Sequence, residues 1–148
     1  MHKTAASPLA LMYAALIVYA SLYPFAEWRN QDILPWAFLA APIPRYWTRF
    51  DVTINVMGYL PLGSMLALSA LRSGRGRQAL WFSVLVAGVL SLLMETLQSY
   101  LPARVPSRED WLLNTLGAGL GAVATVALER VGAIDRWSRF RARWFVPH

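Results

Sequence analysis

The chain has 148 residues, 57% of them apolar and only 15% charged, against roughly 25% charged in soluble domains, which excludes a disordered chain or an ordinary water-soluble protein. Its formal charge is +6 and thirteen of its fourteen basic residues are Arg, so lipid phosphate, nucleic acid or membrane topology has to account for them. With no Cys, and His only at His2 and His148, the sequence excludes disulfides, thiolate chemistry and iron-sulfur clusters and argues against His triads and His-bound metals, leaving carboxylates, amides, Arg, Ser and Tyr.

Four segments approach the roughly 20 apolar residues that a bilayer crossing needs: 8–25, 52–71, 79–98 and 111–128. The expected fold is an all-α integral membrane protein, a single bundle of about four transmembrane helices. The first segment follows Lys3, and Val18, Tyr19 and Ala20 would also suit signal-peptide cleavage, an alternative that removes one helix and keeps the direction of the rest. Residues 33–47 are too short and too rich in proline (Pro35, Pro42, Pro44) to cross, and read as an interfacial or re-entrant loop anchored by Trp36 and Trp47. The second segment carries Asn55 and then Pro61 with Gly63, which predict a kink and a carbonyl in need of another partner. The third is free of charge from Ala79 to Met94. In the fourth, Gly117, Gly119 and Gly121 with Ala118 and Ala122 predict close helix packing; the spacing and the absence of a preceding strand rule out a dinucleotide fingerprint. In the tail, 129–148, Ile134, Trp137, Phe140 and Trp144 alternate at helical spacing with Arg136, Arg139, Arg141 and Arg143, the pattern of a basic amphipathic helix lying on anionic lipid. No nucleic-acid motif accompanies these arginines, so no nucleic-acid partner is expected.

Basic residues accumulate on the cytoplasmic side of a membrane. Lys3, Arg72, Arg75, Arg77, Arg130, Arg136, Arg139, Arg141 and Arg143 fall on one face, and Arg29, Arg45, Arg49, Arg104 and Arg108 on the other. Both termini are therefore expected in the cytoplasm, with loops 26–50 and 99–110 outside, at a bacterial inner membrane.

Charge within a helix span costs about 2.5–3.5 kcal/mol at mid-membrane, so each polar group calls for a reason. Asp51 and Asn55 share a face at the start of the second segment, Glu95 and Gln98 at the end of the third, and Asp110 and Asn114 at the start of the fourth. The topology gathers all six at the outer face. Asp51 and Asp110 would also suit exposed helix N-termini, and the amides would suit interhelical glue. Glu95 fits less easily, because it opposes the helix dipole after sixteen uncharged residues. Arg104 and Arg108 are available to neutralise it, or to hold an anionic headgroup. Asp51, Asn55, Glu95, Gln98, Arg104, Asp110 and Asn114 are thus the expected ligand-binding set, with Pro61, Gly63, Gly117 and Gly121 set aside for packing.

The same residues, in this order, resemble the VanZ-like family of bacterial membrane proteins, named for a teicoplanin-resistance protein. The likeness runs through YASLYPF (19–25) and FDVTINVMGYLPLG (50–63) and is strongest in ETLQSYLPARVPSREDWLLNTLGAGLG (95–121), where Glu95, Gln98, Arg104, Asp110, Asn114, Gly117 and Gly121 fall on the family pattern. Arg108 is outside that pattern, which ranks Arg104 above it as the functional cation. The resemblance implies an envelope role: a polar pocket that takes a lipid-linked precursor or a peptidoglycan component, with a link to glycopeptide resistance. Two alternatives stay open. In one, Glu95, Asp110 or Asp51 acts as general base on a lipid-linked substrate, with a carboxylate-bound Mg²⁺ or Ca²⁺ conceivable although no metal or cofactor is expected. Ser107 lacks a nearby His to activate it as a nucleophile. In the other, the chain is a small assembly or transport module, as an oligomer for transport.

Overall fold

The structure is a computed structural model that describes residues 5–44 and 46–145. His2, Lys3, Arg45 and His148, and the end of the tail at 146–148, lie outside the described residues. Among the described residues five helices follow one another: α1 (Ala6–Leu22), α2 (Arg49–Arg72), α3 (Ala79–Gln98), α4 (Arg108–Arg130) and α5 (Ala133–Phe145). Short 3₁₀ turns occupy Ala37–Ala40 and Gly76–Gln78, and there is no strand among the described residues.

Helices α2 and α4 begin alike. Thr48 and Ser107 are their N-caps, and each hydroxyl accepts a hydrogen bond from the amide of an aspartate three residues on, Asp51 (3.0 Å) and Asp110 (3.2 Å). Caps of this kind satisfy amides that the helix itself cannot, and a first-turn carboxylate suits the positive end of the dipole. The first expected crossing, drawn to Phe25, stops earlier, at Leu22. Pro24 is the reason: the residue before a proline is pushed out of the helical region, and Tyr23 is extended (φ −57°, ψ 134°). Three helical stretches are long and apolar enough to cross a membrane, Arg49–Arg72, Gly76–Gln98 and Arg108–Arg130. The 17 residues of α1 span only about 25 Å, the lower limit for a crossing.

Consecutive helices from α1 to α4 alternate in direction, so α2 and α4 run parallel, and α4 makes its most extensive contact with α2, its next with α3. The α2–α4 pair is held at backbone distance. A methyl group on Gly117 would stand 2.2 Å from the carbonyl oxygen of Val56, and one on Gly121 2.1 Å from that of Leu60. Gly63, expected beside Pro61 at a kink and also in helix packing, meets the α4 backbone: a β-carbon there would lie 1.9 Å from the Ala118 carbonyl oxygen, and α2 is one helix through Pro61. Pro61 leaves the Met57 carbonyl without its usual amide donor, and one residue further on Tyr13 of α1 donates to the Gly58 carbonyl at 2.6 Å.

On α3 a row of small residues, Ser83, Ala87 and Ser91, is fully buried against its neighbours. Leu85, Val89 and Leu93 on α3 and Leu112, Leu116 and Leu120 on α4 face outward. An apolar exterior over a core seamed by small residues is how helices pack in lipid, where burying apolar area brings no net gain. At the other end of the bundle Gly132 (φ 69°) breaks the chain between α4 and α5, and Asp135 of α5 pairs with Arg72 at the end of α2 (3.5 Å).

Candidate functional site

The polar residues converge at the end of the bundle where α2 and α4 begin and α1 and α3 finish. A cavity of about 420 Å³ lies there, with α1 on one side and α2, α3 and α4 on the other. Asn55, Glu95, Gln98, Arg104, Asp110 and Asn114 all line it. Asp51 does not: it is exposed in the first turn of α2 and offers the site only its main-chain carbonyl.

Asn55 ties the two helix starts together, its side-chain amide donating to the Asp51 carbonyl (2.8 Å) and to Oδ1 of Asp110 (3.1 Å). Asn114, one turn along α4, donates to the Ser91 hydroxyl of α3 (2.9 Å). Gln98 donates to the Ser21 carbonyl in the last turn of α1 (2.9 Å), so the C-terminal ends of α1 and α3 are joined. Each of these amides crosses between helices, as buried polar glue does, and each also presents a face to the cavity.

Glu95 is only 4% exposed. The expected arginine partner is not its main contact; Oε2 accepts the backbone N–H of Ser107 at 2.7 Å. Arg108 is turned away, to Glu109 (3.2 Å) and to the Leu39 carbonyl (3.1 Å). It therefore pins the 3₁₀ turn at Ala37–Ala40 over the start of α4. Arg104 lines the cavity and makes no ion pair within 4 Å among the described residues. The Ser107 hydroxyl caps α4 and bonds Glu109 (3.0 Å), which accounts for it without a nucleophile's role.

The segment between α1 and α2 closes over this end. Arg29 N–H donates to the Tyr100 carbonyl (3.0 Å), the Gln31 amide to the Ser99 carbonyl (2.8 Å), and the Ser99 hydroxyl to the Pro35 carbonyl (2.9 Å). Phe38 is buried while Trp36 and Trp47 stay exposed. Backbone carbonyls of both loops thereby receive donors from the opposite loop, one from a main-chain amide and two from side chains.

Two polar atoms in the cavity wall remain buried without a hydrogen-bond partner among the described residues, Oδ1 of Asn114 and the hydroxyl of Tyr59. Such groups are uncommon and each asks for an explanation. Sequence reasoning passed over Tyr13, Tyr59 and Ser91. The signal was present: Tyr59 stands four residues after Asn55 and Ser91 four before Glu95, so each polar stripe runs one turn deeper than the charged groups alone indicate. No group of three or more His, Asp or Glu side chains capable of holding a metal forms among the described residues.

Chemically, the arrangement combines a buried carboxylate, a half-buried carboxylate, one uncommitted guanidinium and unpaired amide and phenol groups. That set can bind a charged or richly hydrogen-bonding headgroup. Among known proteins, the family model described as VanZ/LLP1 matches residues 6–129, a stretch that holds α1 to α4 almost entirely and every residue of the cavity wall. No curated protein and no solved structure matches the chain.

Proposed function

The chain belongs to the VanZ/LLP1 family, a multi-pass membrane protein, and on that premise we propose that its cavity binds a cell-envelope component at the outer face of a bacterial inner membrane. Both termini would then be cytoplasmic, as the distribution of Lys and Arg favours. The ligand would be the headgroup of a lipid-linked precursor or a piece of peptidoglycan, and the family name makes teicoplanin protection the first activity to try. The observation that carries this reading is the coexistence in one cavity of buried Glu95, uncommitted Arg104 and the unpartnered Oδ1 of Asn114. A bundle that needed these groups only for packing would have paired them with each other.

The test is growth of a Gram-positive host under teicoplanin, with labelled teicoplanin binding to the cells. The wild-type chain is compared with Arg104→Ala, Glu95→Ala and Asp110→Ala at matched membrane levels. Protection that disappears in the variants supports the reading. Protection that survives all three substitutions refutes a role for the cavity, and no protection from any version separates this chain from teicoplanin.

A catalytic reading is favoured by one further observation, that Glu95 and Asp110 share the cavity wall. One would serve as general base for hydrolysis or transfer on a lipid-linked substrate. Glu95→Gln and Asp110→Asn would then bind the substrate and fail to turn it over, whereas normal turnover by both would exclude it.

A further inference from the structure

Acceptors on α3 and α4 in the cavity wall are left without donors. Glu95 spends Oε2 on the Ser107 amide and Asp110 spends Oδ1 on Asn55, which leaves Oε1 and Oδ2 without a hydrogen bond among the described residues. Oδ1 of Asn114 is buried and equally unserved. Glu95 and Asn114 are 4% and 5% exposed, and of the three atoms Oδ1 of Asn114 is the one shut away from water. Three acceptors on two neighbouring helices call for a compact group with several N–H donors. A primary ammonium has three, an amide has two on one nitrogen, and a quaternary ammonium has none.

Charge points the same way. Two carboxyl groups stand in the cavity against the single guanidinium of Arg104 among the described residues, so a purely anionic headgroup would set its charge beside groups that are themselves negative when ionised. Arg104 itself, with no ion pair among the described residues, is suited to one phosphate. The remaining wall is apolar: Leu16 and Ala20 of α1 and Ile54 of α2 line the cavity and are also exposed on the outside of the bundle. The site therefore communicates with the surface that lipid covers.

We propose that the cavity seats an aminophospholipid headgroup, with its primary ammonium among Glu95, Asp110 and Asn114, its phosphate at Arg104, and its acyl chains leaving between α1 and α2. This rests on the reading of the cavity as an envelope-ligand site and names an aminophospholipid as the ligand in place of a lipid-linked precursor or peptidoglycan. The ammonium is what separates it from a site for anionic lipid.

The experiment is native mass spectrometry of the delipidated full chain with three lipids of identical acyl chains: phosphatidylethanolamine, its trimethylated counterpart phosphatidylcholine, and phosphatidylglycerol. Phosphatidylethanolamine should be retained about tenfold better than phosphatidylcholine, the difference expected from losing charge-assisted hydrogen bonds. That preference should vanish in Glu95→Gln and Asp110→Asn. Both substitutions keep an oxygen for the Ser107 and Asn55 donors, and thermal melting checks that both still fold. Equal retention of phosphatidylethanolamine and phosphatidylcholine, or a preference unmoved by either substitution, overturns the proposal. Retention of phosphatidylglycerol above phosphatidylethanolamine, lost in Arg104→Ala, overturns it too while leaving an anion-binding cavity intact. If no lipid depends on Arg104, Glu95 or Asp110, the aminophospholipid proposal falls, and the envelope-ligand reading stands or falls by the teicoplanin experiment.

Discussion

Glu95 shows how far residue-level reasoning carries. Its position at the end of an uncharged run marks it as a group that needs a partner, and it has one, in the Ser107 amide. Which partner it takes depends on the loop after α3, where a backbone N–H is brought within 2.7 Å and Arg108 is drawn off to Glu109 and Leu39. Sequence supplies the charges but not the direction in which a long side chain leaves its helix. Two substitutions separate the roles of Glu95. Glu95→Gln keeps an acceptor for Ser107, so its melting temperature in detergent should stay close to wild type. Glu95→Leu strands that amide and should cost about 1–3 kcal/mol, seen as a clear drop in the same melt. Equal stability of the two would mean that the Ser107 contact contributes nothing.

At the scale of elements, the seam between α2 and α4 is legible from glycine spacing alone, because small residues four apart on a membrane helix are there to admit another backbone. What they admit is not legible. Gly117 meets Val56, Gly121 meets Leu60, and Gly63 answers from the other side against Ala118. Gly117→Val should therefore cost about 1–3 kcal/mol or more by overpacking, lowering both yield and melting temperature. Gly119→Ala, whose new methyl would rest 3.6 Å from Val84, should be neutral or slightly stabilising. If both variants behave alike, backbone contact at the seam is not what holds the helices. For α5, Trp137, Phe140 and Trp144 stack in sequence along one face, with ring centroids 5.8 and 6.3 Å apart, and Trp137 and Trp144 are largely exposed. The arginines are free to meet anionic lipid at about 1 kcal/mol each. An environment-sensitive dye on Trp144→Cys, the chain's sole thiol, should shift to the blue when anionic lipid is added. The shift should shrink in high salt and in an Arg136→Glu, Arg139→Glu background; no dependence on lipid charge would sink the assignment.

For the whole molecule, the direction of insertion is tested with single cysteines at Ser73, Val105 and Ser138 and an impermeant thiol reagent. Val105, 82% exposed, reports the loop after α3 better than Ser107, which caps α4. Only position 105 should label from outside intact cells, and the opposite pattern would invert the topology and move the cavity to the cytoplasmic face. The sequence by itself determined the class of fold and the end of the bundle at which polarity gathers. Hydrophobic length sets a crossing, and an even alternation of helix direction brings residues at 51–55, 95–98 and 110–114 to one end whatever the packing details. Tertiary structure alone decided the rest: that Asp51 stands outside the cavity, that Arg104 and not Arg108 is left uncommitted, and that Tyr59 and Asn114 carry unpaired polar atoms. These are matters of one or two ångströms, set by the close approach of α2 to α4 and by how the loop after α1 folds back over α3. Such distances depend on contacts between residues far apart in the chain, which local pattern does not encode.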